Sequence, residues 1–286
     1  MWIVWSALAT AGVDRPYETV MGQTRHGTMA FWDQGEGEPI VLVHGLPTSK
    51  ELWVDVIPEL AGHRVIAVDL VDFGESRETT ADLGHPQRAE ALDDLLAGLG
   101  LDQVVLVGHD LGSSVVVDYM GQFGDRVSDL VLLSSPVYPD FDEPEVVELV
   151  RRPAMGVLLT NLLPRTMYRM TLNMGLVHDD AVDALQVGSF IEAYRCPPGK
   201  QRLLDNLWWG TPEHMFAAYP DILRALPHRS LVLHGAQDPF IPLSHAHRLD
   251  SDLADSQLVV IEDGSHFLPL DTPVRVAAEI LAFLGD

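Results

Sequence analysis

Gly108-His109-Asp110-Leu111-Gly112 sets a carboxylate between two glycines, after the β-rich run Gln103–Val107 and before an apolar helical run from Ser113 to Met120. Glycines on both sides allow a turn too sharp for larger side chains, and the central residue is then displayed on a strained backbone. N–H groups at the start of the following helix favour a negative charge there. A Gly-x-nucleophile-x-Gly turn requires this strand–turn–helix context. Taken alone, the same residues also fit an Asp-capped strand–helix turn. The partners decide between the two. Nucleophile, acid and histidine are expected in that chain order, and Asp238 and His266 follow the β-rich runs Ser230–His234 and Gln257–Ile261. No carboxylate stands directly after the run ending near Ser134, so Asp238 is the better orienter for His266 as general base.

An aspartate in the nucleophile position selects a reaction class. A carboxylate attacking saturated carbon displaces a leaving group and makes an alkyl-enzyme ester whose carbonyl belongs to the enzyme. A histidine-activated water then attacks that carbonyl, so the chemistry is hydrolysis at sp³ carbon.

The elements that must position these residues follow a strand-then-helix rhythm. Continuously apolar runs at Ile40–His44, Val65–Asp69, Gln103–Val107, Asp129–Leu133, Ser230–His234 and Gln257–Ile261 suit strands buried on both faces of a parallel sheet. Thr24–Asp33 reads as an additional strand and turn near the amino end. Pro86 opens a helix whose apolar face is Ala89, Leu92, Leu95, Leu96 and Leu99. From about Ser135 to Leu226 the rhythm breaks into helical patterns, at Glu145–Arg152, Met155–Leu163 and Asp180–Tyr194. We read a helical lid at residues 137–226, over a core of residues 21–136 and 227–286, with residues 1–20 as an amino-terminal extension. The lid would sit over the carboxyl edge of the sheet, where open α/β folds bind ligands.

Composition narrows the partners. The 286 residues carry 18 Lys+Arg against 42 Asp+Glu, a formal net charge of −24, which repels nucleic acid. One cysteine, Cys196, allows neither an internal disulfide nor a Cys-rich zinc site. The histidines show no metal-ligand spacing, and no phosphate-loop or dinucleotide motif occurs, so no metal and no cofactor are expected. Met155, Met167, Met170 and Met174 read as lid packing. No run approaches the roughly 20 apolar residues of a membrane span. The apolar start, Met1–Ala11, lacks a basic region before it and is read as an extension rather than a secretion signal, hence a cytoplasmic protein. A homodimer is left open.

From Thr24 to the end the chain resembles the α/β-hydrolase family, specifically its aspartate-nucleophile branch of epoxide hydrolases and haloalkane or fluoroacetate dehalogenases. The resemblance rests on the 108–112 turn, on His44-Gly45-Leu46-Pro47 with the following stretch to Trp53, and on Asp69-Leu70-Val71-Asp72-Phe73-Gly74-Glu75-Ser76, where Asp72 stands for a usual glycine. It implies an α/β-hydrolase fold, a mostly parallel sheet flanked by helices with the lid inserted after the sixth strand. It also implies an oxyanion hole from the N–H groups of Leu46 and Leu111. Epoxide hydrolases of this branch protonate the leaving oxygen from lid tyrosines, for which Tyr168, Tyr194 and Tyr219 are available. Asn206-Leu207-Trp208-Trp209 stands where many have Asn-x-Tyr-Arg, so Trp208 replaces a usual tyrosine. Dehalogenases commonly use a tryptophan after the nucleophile and an asparagine in the first loop; Leu111 and Leu46 remove both, and the arginine of fluoroacetate dehalogenases is absent too. Trp208 or Trp209 could still donate to a halide. The first reading is therefore an epoxide hydrolase acting on a small apolar organic substrate and water. A haloalkane or haloacid dehalogenase is the alternative, and a non-catalytic ligand-binding protein of this fold the lesser one.

Overall fold

The computed structural model describes residues 5–6, 16–78, 83–143, 145–162, 164–178, 188, 190–191, 194, 201–205 and 210–285. Their strands are β1 (Trp5–Ser6), β2 (Val20–Thr24), β3 (Gly27–Gln34), β4 (Pro39–Val43), β5 (Arg64–Val68), β6 (Arg77–Glu78), β7 (Val104–His109), β8 (Val127–Leu133), β9 (Arg229–Gly235) and β10 (Asp255–Ile261). They form one sheet in the order β1-β2-β3-β5-β4-β7-β8-β9-β10, with β6 beside β3. From β5 to β10 every neighbouring pair is parallel, and the β1–β2–β3–β5 side is antiparallel. Leaving out the two-residue strands, the helical segment follows the sixth strand, as the resemblance implied.

Parallel strands covered on both faces should read as unbroken apolar runs. β7 does: all six of its residues are buried. The single strand expected over Thr24–Asp33 is instead the end of one strand and most of the next. The chain turns at Arg25–His26, and Gly27 leaves the turn at φ 145°, a conformation glycine adopts without a Cβ penalty. Helix α1 (His85–Gly98) carries Pro86 in its first turn, and α2 (Leu111–Phe123) begins at the glycine turn. Between β8 and β9 the described residues hold no strand. They include α3 (Glu145–Arg151), α4 (Pro153–Leu162) and α5 (Pro164–Met174), of which α5 was not read from the sequence. The expected helix at Asp180–Tyr194 lies mostly outside the described residues. Met170 and Met174 are 60% and 53% exposed, so they do not pack inside the segment as expected.

Two connections fix the loops at the carboxyl edge of the sheet. The ammonium of buried Lys50, after β4, bonds both Asp69 and Glu75, after β5, at 2.8 Å each. Asp72 sits at φ 83°, which explains the usual glycine, and its carboxylate faces Arg88 of α1 and Arg202 at 3.8 and 3.9 Å. Farther along, Asp271 accepts hydrogen bonds from the N–H groups of Val177, His178 and Ser265, while Phe267 N–H donates to Gly175 O. The chain just after α5 is thus fastened to the loop carrying His266.

Candidate active site

Asp110 follows β7 at φ 50°, ψ −125°, the strained conformation expected between its two glycines. A Cβ on Gly112 would lie 2.5 Å from the carbonyl oxygens of Val43 and His44, and one on Gly108 would lie 2.8 Å from Ser113 Cα. These are backbone obstacles that cannot rotate away. Gly112→Ala is therefore expected to cost about 1–3 kcal/mol, read as a lower urea midpoint, because β4 must shift to admit the methyl.

Leu46 N–H donates to Asp110 Oδ2 at 2.8 Å. The Leu111 N–H bonds the same carboxylate. On the other side, His266 Nε2 stands 3.8 Å from Asp110 Oδ1. His266 Nδ1 donates to Asp238 Oδ2 at 2.9 Å. Asp238 Oδ1 in turn accepts from the N–H groups of Phe240 and Ile241 at 2.8 and 3.0 Å. The structure thus brings together Asp110, His266, Asp238, Leu46 and Leu111, five positions chosen from the sequence.

The electrostatics follow from burial opposed by neighbours. Burial pushes the Asp110 carboxyl up, against His266 and the two N–H groups. Burial also works to raise Asp238, but His266 and the loop N–H groups outweigh it and bring that carboxyl down to about 2. His266 is drawn down by burial, yet Asp238 and then Asp110 hold it above the ordinary imidazole value. Two further histidines build the wall. His109 Nε2 donates to His266 O at 2.9 Å, and burial lowers its pKa to about 3. His44 accepts from Leu70 N–H on Nε2 and donates to Gly45 O from Nδ1; burial brings it to about 4. Both are neutral.

A cavity opens over Asp110 and His266, lined mainly by apolar side chains, including Leu111, Phe141, Val150, Leu203 and Phe240. Tyr168 of α5 lines it, its hydroxyl donating to Pro47 O. Burial raises that phenol well above its usual value, so it stays protonated. Tyr194 is buried with its ring centre 6.0 Å from that of Tyr168. Tyr219 donates to Asp118 of α2 and meets His85. Trp208 and Trp209 lie outside the described residues. The sequence reading missed His85, Glu143 and Arg151, which also line the cavity, the last two as an ion pair. Among the described residues no group of three metal-ligating side chains forms, and no helix is long and apolar enough to cross a membrane.

The family model of the alpha/beta hydrolase fold matches residues 38–273. This chain belongs to the α/β-hydrolase fold family. Among its relatives in that family, a 2-hydroxymuconate semialdehyde hydrolase from Pseudomonas sp. is 28% identical, over 89% of this chain and 89% of the relative. A haloalkane dehalogenase from Sphingobium indicum is also 28% identical, over 90% of this chain and 91% of its own. Among solved α/β-hydrolase structures, the unliganded epoxide hydrolase CorEH superposes with a TM-score of 0.82 at 21% identity, covering 93% of this chain and 98% of that one. At that identity the likeness speaks for the shared fold.

Proposed function

We propose that this α/β-hydrolase opens epoxides to vicinal diols, with Asp110 as nucleophile, His266 as general base and Asp238 orienting it. The observation that carries the reading is the division of the Asp110 carboxylate. Oδ2 rests on the Leu46 N–H, while Oδ1 faces His266. In a serine enzyme the donors hold an oxygen of the substrate. Here they hold an oxygen of the enzyme, the atom that becomes the oxyanion when water attacks an Asp110 ester. Such a donor contributes about 3 kcal/mol to that step.

Oδ1 attacks the epoxide carbon and the ring C–O bond breaks, leaving an alkoxide that takes a proton. The helical segment acts as the lid that excludes bulk water, and Tyr168 supplies a proton donor on its inner face. His266 then takes a proton from water as the oxygen attacks the ester carbonyl. Collapse expels the diol oxygen, which takes that proton back from His266, and Asp110 loses its new hydroxyl proton to solvent. Burial keeps the Tyr168 phenol protonated at neutral pH, and ring opening would turn its hydroxyl from Pro47 O to the leaving oxygen. Tyr168→Phe is expected to slow diol formation about 10²-fold, measured by gas chromatography on a panel of terminal epoxides.

The dehalogenase relative supports a second reading in which the same carboxylate displaces halide. Alkyl halides run beside the epoxides separate the two. Halide release without diol formation from any epoxide transfers the assignment.

A further inference from the structure

Three consecutive residues of the base loop are held by three different parts of the chain. Ser265 N–H is bound by Asp271 and Phe267 N–H by Gly175 O, whereas His266 O accepts from His109 Nε2 at 2.9 Å. His109 is the last residue of β7 and stands next to Asp110 in the chain. One hydrogen bond therefore ties the main chain of the base to the residue before the nucleophile. The two imidazoles are also in contact, with ring centres 5.1 Å apart, and Phe267 and Trp53 pack on the His109 ring at 5.9 and 6.5 Å. His109 is fully buried.

Chemistry fixes the direction of that bond. A carbonyl oxygen only accepts, so His109 must carry its proton on Nε2. Nδ1 is then bare, and it is buried with no hydrogen-bond partner among the described residues, so nothing there competes for the proton. Burial, with His266 beside it, holds His109 at a pKa of about 3. The ring therefore stays a neutral donor while His266 gains and loses its own proton.

From this geometry we propose that His109 is a positioning residue of ester hydrolysis, its Nε2–H setting the spacing between the base and the nucleophile turn. The proposal rests on the alkyl-enzyme reading above. His266 Nε2 stands 3.8 Å from Asp110 Oδ1. The attacking water must lie within hydrogen-bond reach of that nitrogen and against the Asp110 ester carbon at once. A misplacement of about 1 Å in such an arrangement costs up to about 10²-fold. Alkylation makes no such demand on the base. The attacking carboxylate is held by the Leu46 N–H and by its own turn, where Ser113 N–H donates to Asp110 O at 2.8 Å. His109 should therefore matter to the second half-reaction and not to the first.

Glutamine and methionine are matched in length, and a glutamine N–H reaches the place of imidazole Nε2 while methionine has no donor. Full-length His109→Met and His109→Gln are compared with the parent by rapid quench and intact mass, with 1,2-epoxybutane as probe. In His109→Met the adduct on Asp110 should form within about 3-fold of the parental rate and decay at least about 10-fold more slowly. Its kcat and KM then fall together. His109→Gln should restore the decay. Absence of any adduct in His266→Gln sinks the ester reading itself, whatever His109 does. Given that adduct, parental decay in a folded His109→Met variant overturns the proposal. So does equal slowing of both steps, or an equal loss in His109→Gln, since a purely structural role would produce those. The parent chain supplies a measurement that depends on no variant's folding. Nitrogen NMR of histidine-labelled protein should show His109 as the Nε2–H tautomer, its proton protected from exchange while His266 titrates. A proton on Nδ1 instead would overturn the assignment.

Discussion

Asp110→Ala is expected to abolish turnover, by about 10⁴-fold or more, while the protein stays folded. The turn is shaped by Gly108 and Gly112, whose neighbours leave no room for a Cβ, and by backbone bonds such as Ser113 N–H to Asp110 O at 2.8 Å. None of these needs the carboxylate. The variant should therefore keep its circular dichroism and melt near the parent temperature, yet form neither diol nor halide from any substrate of the parent. Near-parental activity in purified Asp110→Ala would dispose of the covalent mechanism.

His266→Gln should separate the two half-reactions. An ionised carboxylate needs no base to attack carbon, whereas water at neutral pH is a weak nucleophile without one. The first step should survive and the second stop, so an ester builds up on Asp110. Intact mass should show the whole substrate added for an epoxide, or substrate minus hydrogen halide for an alkyl halide. A serine-type enzyme would stall before any adduct. The pH dependence has a definite sign. Burial raises Asp110, so adduct formation should fade as pH drops through that raised value and the carboxylate is lost. In the parent, His266 is a base only above its own pKa, which the charges of Asp238 and Asp110 hold up. On the proposed mechanism, esterifying Asp110 would remove its charge and let His266 shift down. The base form becomes more available at the step that uses it. A binding-competent His266→Gln with no adduct on a peptide containing Asp110 ends the alkyl-enzyme account.

What the sequence disclosed and what it hid have separate physical causes. β7 and β9 were legible because a strand covered on both faces must be apolar throughout, and the residues that follow such strands fall on one edge of the sheet. Asp110, Asp238 and His266 could therefore be placed together from their strand-end positions, with the nucleophile–acid–histidine order of the resembled family as guide. The Arg25–His26 turn was read through because Thr24 and the residues after Gly27 continue a β-rich composition across it. The cavity wall was harder. His85 gains its meaning from Tyr219, 134 positions away, and Glu143 from Arg151 across a helix start. No periodicity encodes such contacts. Tyr219 was singled out by type as a candidate proton donor, but packing shows its hydroxyl bonded to Asp118 and His85. Met170 and Met174 read as interior from hydrophobicity and lie on the outer face of α5.

The carboxylate of Asp271 joins two parts of the chain far apart in sequence, the stretch after α5 and the loop that carries His266. It gathers the N–H of Ser265, next to His266, together with those of Val177 and His178, just after α5. A door hung on this post cannot swing at that end without pulling its own latch. Lifting Gly175–His178 away would strip Asp271 of two partners and release the backbone that presents the imidazole. Under the proposed function, an opening there would disarm the enzyme. On the same reading, substrate would have to enter by another part of the cavity rim, with His266 held in place.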